Sequence, residues 1–250
     1  MKRPIKTIII SKVGLVILLD LLLVCAVFPA NIRLHSITPL AGFNMGLKLK
    51  PDQGLQSVNG PGAGAIIRFS INAHWNFSLA GGYYNLKVHQ AEPITHWNWE
   101  FWNRFYGNYI RDLQRDSNYV AQLTYEQNLN LIPALVMVGF QQRIGEHFSL
   151  GILMGGGIYH FKRVLKVHEK WTKYFPEKDY AFTYAFDNHA NPHSGNVPLA
   201  FVGLEGQYRL GKFINLNLGL SFNQFFRTES ETYFPFKQML QFQFGVQFLH

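Results

Sequence analysis

The feature that most constrains this chain is an alternation of apolar and polar residues near its end, over residues 213–248. The apolar positions are first Ile214, Leu216, Leu218, Leu220 and Phe222, and then Leu240, Phe242, Phe244, Val246 and Phe248. The residues between them are amides, Ser and Gly. A period of two is typical of β-strands, because successive side chains point to opposite faces of the pleat. The pattern therefore predicts two strands, each with one large apolar face.

The two faces of these strands indicate which solvent each one meets. A strand of a soluble β-sandwich usually shows charged or mixed polar residues to water, whereas here the polar face carries amides and small residues. An apolar face opposite an amide-rich face is expected of a transmembrane barrel strand, with lipid outside and a small polar lumen inside. This prediction requires enough further strands to close a barrel.

Six further segments alternate in the same way. They are residues 41–49, 64–72, 76–87, a stretch within 119–142, 148–161 and 197–210. In the fourth of them, residues 132–140 are apolar on both faces and include Pro133, so its register stays open. Eight strands of roughly ten residues are what the smallest transmembrane barrels use. We therefore predict an all-β fold, an eight-stranded antiparallel up-and-down transmembrane β-barrel.

The connections between these segments alternate in length. Three are short, at residues 72–76, 143–147 and 210–212, and four are long, at residues 50–63, 89–118, 162–196 and 227–235. Outer-membrane barrels have short periplasmic turns and longer outer loops. The alternation therefore supports a barrel in the bacterial outer membrane, with both termini on the periplasmic side.

The first thirty residues are typical of an export signal. Lys2, Arg3, Lys6 and Lys12 form a basic start, and an apolar run follows over residues 13–27. Asp20 interrupts that run, and the alternative is an uncleaved inner-membrane anchor. We predict a signal peptide over residues 1–30 and a barrel domain over residues 31–250. The single cysteine, Cys25, lies in the signal segment, so the domain has no disulfide framework and no CxxC metal site.

Composition agrees with a membrane barrel. Charged residues are 15% of the chain and aromatic residues 16%, and mean hydropathy is −0.03. These values suit a surface that meets hydrocarbon between aromatic rims. The net charge is +8, and the basic residues form no stripe along the sequence. We therefore expect contact with anionic lipid headgroups at most, and no binding of nucleic acid. We further expect a monomer without a cofactor.

Several short motifs carry a resemblance to a known group. They are residues 42–46 (Gly-Phe-Asn-Met-Gly), residues 130–135 (Asn-Leu-Ile-Pro-Ala-Leu), the three glycines 155–157, and the closing Phe242-x-Phe244-x-Val246-x-Phe248. In these motifs and their order, residues 38–250 resemble the small outer-membrane β-barrel proteins of Bacteroidetes-type bacteria, a group that includes PorT-like proteins. The resemblance implies a location and an architecture. It implies no single activity.

Four charged residues fall on the lumen side of the predicted strands: Lys48, Arg68, Glu205 and Arg209. In so narrow a barrel the interior is filled by side chains, so these charges are expected to pair with one another. We predict a polar network that plugs the barrel. The alternative is a gate or polar conduit.

The predicted loop at residues 89–118 is rich in aromatic residues, above all Trp97, Trp99, Trp102, Phe105 and Tyr106. Two interpretations stay open. The aromatics form either a binding surface for a glycan, lipid or protein, or a girdle at the membrane boundary.

Candidate chemistry is confined to the predicted loop at residues 162–196 and its flanks. The histidines His160, His168, His189 and His193 lack metal-ligand spacing, and we predict no metal site. Ser194, His193 and Asp187 are the one grouping that suggests a nucleophile with a base. Closeness in sequence gives no triad geometry, so we predict no enzyme and no catalytic residues.

These predictions favour a structural or binding role in the cell envelope. The expected partners are outer-membrane lipids, the barrel-assembly machinery during insertion, and an envelope protein or glycan bound by the outer loops. Two alternatives stay open, a small channel for apolar or ionic solutes and an accessory component of a secretion or surface-assembly apparatus.

Overall fold

The computed structural model describes residues 32–226 and 233–250. Within these residues it has nine strands: β1 (Arg33–Leu49), β2 (Leu55–Ser70), β3 (Trp75–Gln90), β4 (Tyr119–Ile144), β5 (Phe148–Phe175), β6 (Tyr180–His189), β7 (His193–Arg209), β8 (Ile214–Phe225) and β9 (Phe236–Leu249). The predicted signal peptide, residues 1–30, lies outside the described residues, as does most of the predicted loop at residues 227–235.

Eight of the nine described strands form a closed antiparallel ring. Each strand from β1 to β5 pairs with the next along the chain, β5 then pairs with β7, and β7, β8 and β9 follow in order. The pairing of β1 with β9 closes the ring. Closure leaves no free edge in the wall, because every strand of the ring has two neighbours. The predicted eight-stranded antiparallel barrel is confirmed.

The strand β6 lies outside the ring and was not expected from the sequence. It pairs with the C-terminal part of β5, from Lys166↔His189 to Phe175↔Tyr180. On its other side the same part of β5 pairs with β4. A three-stranded sheet therefore rises from the barrel wall, and the predicted loop at residues 162–196 is largely strand.

The segment between β3 and β4 is largely helical. It holds α1 (Pro93–Trp97), a π-helical turn (Trp102–Tyr106) and α2 (Gly107–Gln114), which follows that turn directly. None of the described helices is long and apolar enough to cross a membrane. The prediction of a loop over residues 89–118 is therefore wrong for most of that range.

The two ends of the barrel differ. Short turns at residues 71–74, 145–147 and 210–213 lie at the end where β1 begins and β9 finishes, here called the short-turn end. The opposite, long-loop end carries the helical segment and β6. At that end the predicted loop 50–63 is wrong, because β2 already begins at Leu55. The apolar alternation of β2 is interrupted by glycine, so the sequence did not indicate the start of the strand. A Cβ at Gly60 would lie 2.2 Å from the backbone oxygen of Asn85, so close strand packing requires glycine there.

The apolar faces of the strands point outward. Ile214 is 40% exposed and Phe242 is 47% exposed, whereas their neighbours Asn215 and Gln241 are buried. The exposed outward residues, here called the apolar belt, include Ile37, Phe43, Met45, Ile67, Leu79, Tyr83, Ile132, Phe140, Leu150, Ile152, Met154, Val202, Leu204, Leu218, Leu220, Phe242, Phe244 and Phe248. The predicted orientation of the two faces is confirmed.

The interior has two layers, which corrects the prediction of a polar lumen. Toward the short-turn end it is polar, with Ser36, Asn217 and Gln247 all buried. Toward the long-loop end it is a hydrophobic core that includes Leu86, Leu131, Phe161, Phe225, Phe234 and Phe236. The doubly apolar β4 explains the difference, because its inward residues Leu129, Leu131 and Leu135 contribute to that core while Ile132 faces out.

Candidate functional site

Two strands carry the cap of the molecule above the long-loop end. β4 has 26 residues and β5 has 28, whereas their ring neighbours β3 and β7 have 16 and 17. The extra length stands above the ring and pairs with itself and with β6. We call this sheet extension, together with the helical segment, the cap.

A second hydrophobic core holds the cap together. The helical segment packs on the inward face of β5, and the core contains Ile94, Trp97, Trp99, Trp102, Ile110, Leu165, Val167, Trp171 and Ala190. Trp97 is 2% exposed, and its indole Nε1 donates a hydrogen bond to the backbone oxygen of Asn191 at 3.1 Å. Trp99 and Trp102 are 9% and 8% exposed.

The burial of these tryptophans removes them from both interpretations that the sequence left open, a binding surface and a girdle at the membrane boundary. Of the five aromatic candidates, Trp97, Trp99 and Trp102 stabilise the cap from inside, and Tyr106 is partly buried. Phe105 is 67% exposed. The physical reason is the unexpected helix, since it turns one side of the aromatic run onto β5 and the other to solvent.

Glu169 joins three parts of the cap. Its carboxylate is fully buried and accepts hydrogen bonds from the Tyr106 hydroxyl at 3.0 Å, from Trp171 Nε1 at 2.9 Å, and from the amide of Asn188. Burial, and then the hydrogen bond to this carboxylate, raise the pKa of Tyr106. The helical segment, β5 and β6 are thus joined at one buried carboxyl group that accepts hydrogen bonds from all three.

Arg163 joins the cap to the barrel. Its guanidinium is 2% exposed and donates to Gln127 Oε1 at 2.6 and 3.1 Å, to Gln90 Oε1 at 2.7 Å and to the backbone oxygen of Tyr233 at 3.2 Å. The guanidinium carbon also lies 5.2 Å from the centre of the Trp97 ring. Burial lowers the pKa of Arg163 to about 10, so the group stays charged at neutral pH.

The cap carries two rows of aromatic rings, most of them exposed, one on the helical segment and one on β6. On the helical segment, Phe101 stacks on Tyr106 at 5.3 Å, and Tyr109 follows. On β6 the aromatic positions are Tyr180, Phe182, Tyr184 and Phe186, with Tyr184 and Phe186 stacked at 6.2 Å. Burial, and then neighbouring Tyr109, raise the pKa of Tyr184. Together they form the cap aromatic surface.

The lumen charges predicted from the sequence are only partly brought together. Arg68 and Glu205 form a buried bidentate ion pair, with Nη1–Oε1 at 2.9 Å and Nη2–Oε2 at 2.6 Å. Asn217 Nδ2 also donates to Glu205 Oε1 at 2.7 Å, and the amide of Gln207 donates to the same oxygen. Gln207 in turn accepts a hydrogen bond from Gln141 Nε2 at 2.7 Å.

The other two charges lie outside this network. Lys48 is exposed at the end of β1, where its positive φ of 48° breaks the alternation that would have turned it inward. Arg209 is exposed and lines a cavity of about 410 Å³ at the short-turn mouth. Both positions are too near the ends of the barrel to reach the buried pair.

The residues considered for a metal site or a catalytic triad have other partners. Asp187 contacts Lys166 at 2.7 Å and His168 at 2.7 Å, and these partners lower its pKa. His193 Nε2 lies 3.2 Å from the backbone oxygen of Trp97. Ser194 follows His193 on β7 and points to the opposite face, so the three do not form a triad. Within the described residues no group of three metal-ligating side chains occurs.

Among the residues that shape the cap, those of β6 had a signal in the sequence, whereas Arg163 and Glu169 had none. The aromatic row of β6 repeats every second residue, as Tyr-Ala-Phe-Thr-Tyr-Ala-Phe, and this period indicates a strand. Arg163 and Glu169 had no such signal, because their roles depend on partners far away along the chain.

Comparisons with protein-family models and with curated proteins find no match. Among solved structures, the chain is similar to Ail, the attachment invasion locus protein of Yersinia pestis, in complex with the heparin analogue sucrose octasulfate. Their identity is 10% and the TM-score 0.44, over 87% of this chain and 100% of that one. It is also similar to Neisserial surface protein A, with 8% identity and a TM-score of 0.47, over 88% of this chain and 100% of that one. A major outer membrane protein from Thermus thermophilus has 10% identity and a TM-score of 0.46, over 86% and 100%.

Proposed function

We propose that this protein is an integral outer-membrane β-barrel in which a closed, plugged ring anchors a folded cap for binding at the outer face. The observation that carries the proposal is the apolar belt, a continuous outward surface of exposed Ile, Leu, Phe and Met side chains. Soluble monomers rarely expose contiguous apolar patches larger than a few hundred Å². Hydrocarbon solvates such a belt, and ring closure gives every ring strand a hydrogen-bonded neighbour on both sides, as a sheet in lipid requires.

The ends of the belt support the orientation. Aromatic residues border it at the short-turn end, where Trp75, Tyr208 and Phe213 are exposed. Toward the long-loop end the outward positions become polar, with Lys87 on β3 and His160 and Lys162 on β5. Aromatic borders followed by charged residues are typical of outer-membrane strands. We propose that the termini are periplasmic and that the barrel-assembly machinery inserts the chain.

The plug supports an anchor over a channel. The Arg68–Glu205 pair crosses the polar half of the lumen, and the hydrophobic core fills the other half. A void between the two, lined in part by Gly64, Tyr84 and Asn217, has a volume of about 40 Å³. Such a space holds no more than a few water molecules. Because the lumen is filled, we assign binding to the cap, whose exposed aromatic rings suit an envelope protein or a glycan.

The location is tested by membrane fractionation and by gel mobility. We expect the protein in the outer-membrane fraction, and we expect unheated samples to migrate differently from boiled ones because a closed barrel resists cold detergent. Protease added to intact cells should cut the cap and spare the barrel. Recovery in the soluble fraction without a heat-dependent shift would overturn the proposal.

The plug is tested separately in planar lipid bilayers. The purified protein should insert without producing conductance steps. Regular steps at neutral pH would show an open path through the lumen, and would favour the alternative of a small channel over a plugged anchor.

A further inference from the structure

The strand β6 has one edge without a neighbour among the described strands. It lies at the end of the sheet order and pairs with β5 alone. The backbone N–H of Ala190 donates to the oxygen of Leu165 at 3.1 Å. In an antiparallel pair the hydrogen-bonded positions alternate, so even-numbered residues of β6 bond to β5. The odd-numbered residues, from Ala181 to Asp187, therefore direct their backbone groups to the free edge.

Apart from the charged Asp187, which is paired with Lys166, this edge lacks the devices that usually block strand addition. Natural edge strands carry Pro, Lys or a bulge, or are very short. β6 has ten residues, contains neither Pro nor Lys, and keeps an unbroken register with β5. Its side chains are exposed along nearly the whole strand. The edge is thus a template for another β-strand.

The sequence of β6 is complementary to itself when it is read antiparallel. With Thr183 opposite its own copy, Tyr180 faces Phe186 and Phe182 faces Tyr184, so each of these aromatic residues meets another on one face. On the other face, Ala181 meets Ala185. Aromatic cross-strand pairs are among those that stabilise antiparallel sheets. Shifting the centre by one residue either way leaves an aromatic residue opposite Lys178 or Asn188.

We propose that β6 pairs antiparallel with β6 of a second copy of this chain, about a two-fold axis at Thr183. Thr183 has its backbone groups on the free edge, so the central pair is hydrogen-bonded. The cap aromatic surface then continues from one copy into the other. The same register brings Asp187 opposite Asp179, and Lys166, 2.7 Å from Asp187, offsets that repulsion.

The strand direction determines how the two barrels face. β6 follows β5, and barrel strands tilt by roughly 40° from the barrel axis. A two-fold axis that relates antiparallel strands is perpendicular to them, so it does not coincide with the normal of a membrane that both barrels share. The pairing therefore joins barrels head to head, from two opposing membranes. This last step rests on the proposed outer-membrane location, whereas the pairing itself does not.

The pairing is tested first in detergent, where the membrane location has no influence. In a Cys25→Ser background, Thr183→Cys places two cysteines opposite each other, within the range that a disulfide spans. Ala185→Cys is the matched control, because Ala185 lies opposite Ala181 and far from its own copy. We expect mild oxidation to yield a covalent dimer with Thr183→Cys, and roughly tenfold less with Ala185→Cys. Equal yields from the two variants, or no dimer from either, would overturn the pairing.

A proline variant tests the free edge. Thr183→Pro removes a backbone donor that points to the free edge and leaves the backbone hydrogen bonds to β5 in place, and it also removes one side-chain hydrogen bond, between the hydroxyls of Thr183 and Thr172 at 3.0 Å. Light scattering after gel filtration should show dimers of the unmodified protein at high concentration and monomers of Thr183→Pro. Near-ultraviolet circular dichroism checks that the cap of the variant is folded. Dimers that persist in the folded variant would contradict the proposal.

Opposing membranes are tested with lipid vesicles that contain the protein with its cap outward. Turbidity should rise as vesicles tether to each other, and Thr183→Pro vesicles should stay dispersed. If the detergent dimer forms but vesicles do not tether, the pairing stands and the head-to-head arrangement between membranes falls.

Discussion

At the scale of single residues, the polar half of the lumen depends on Arg68 and Glu205. Both side chains are almost fully buried, and each satisfies the other's charge. Removing one partner of a buried pair leaves an uncompensated charge in a dry site. We expect Arg68→Ala to lower the free energy of unfolding by about 3–5 kcal/mol, measured by urea unfolding of the protein in lipid vesicles.

The matched control is the exposed Arg209. Arg209→Ala should change the same free energy by less than about 0.5 kcal/mol, because surface substitutions away from special contacts rarely do more. The double variant Arg68→Met/Glu205→Leu should lose less free energy of unfolding than the single variants Arg68→Met and Glu205→Leu lose together. Equal effects of Arg68→Ala and Arg209→Ala would contradict the role given to the buried pair.

His193 makes the stability of the cap depend on pH. Burial lowers its pKa from the ordinary value of 6.5, nearby Arg163 lowers it further, and the hydrogen bond to the Trp97 oxygen opposes both. Between the folded and the unfolded pKa the unfolded chain binds more protons, so stability rises with pH in that window. Acidification from about pH 7.5 to about pH 5.5 should therefore lower the urea midpoint of tryptophan fluorescence. A His193→Gln variant with an undiminished drop would exclude this residue as a cause.

At the scale of elements, the helical segment and β5 depend on the buried tryptophans. Trp97→Ala should destabilise the cap by about 3–5 kcal/mol, because truncating a buried tryptophan leaves a large cavity. The measurement is limited proteolysis of the cap, followed by a gel that reports whether the barrel still shifts on heating. Phe105→Ala is the matched control, since Phe105 is 67% exposed. If both variants are cut equally fast, Trp97 does not hold the cap.

Elements whose sequence carried one clear period could be predicted. The apolar and amide faces of β1, β8 and β9 point as the alternation indicates, because one face meets the exterior and the other the lumen. β4 gave no register, since both of its faces are apolar: one contributes to the inner core and the other to the belt. β6 was not predicted, although its aromatic residues repeat every second position, because it lies within the long stretch 162–196 that was interpreted as a loop.

The candidate site was less predictable than the wall. Arg68 and Glu205 were placed on the inner face correctly, but they are 137 residues apart, and their contact depends on the size of the ring. Aromatic residues such as Trp97 and Phe105 give the same signal in a core and on a surface. Only the packing of the helical segment on β5 separates them, and it depends on distant partners.

At the scale of the whole molecule, two folded parts share two strands. The ring carries an apolar exterior and a filled interior, and the cap carries its own core above it. Because β4 and β5 run through both, a force on the cap is transmitted to the wall through continuous strands. This arrangement suits an anchor that presents a rigid surface.

The central claim is that the apolar face of each ring strand meets lipid while the amide face meets the lumen. Spin labels at single cysteines in a Cys25→Ser background test it directly, with one label at Phe244 on the outward face of β9 and another at Gln243 on the inward face. In lipid bilayers, the label at position 244 should collide with dissolved oxygen and not with a water-soluble nickel chelate, and the label at 243 should be shielded from both. A label at 244 that meets the nickel chelate, or one at 243 that meets lipid oxygen, would contradict it.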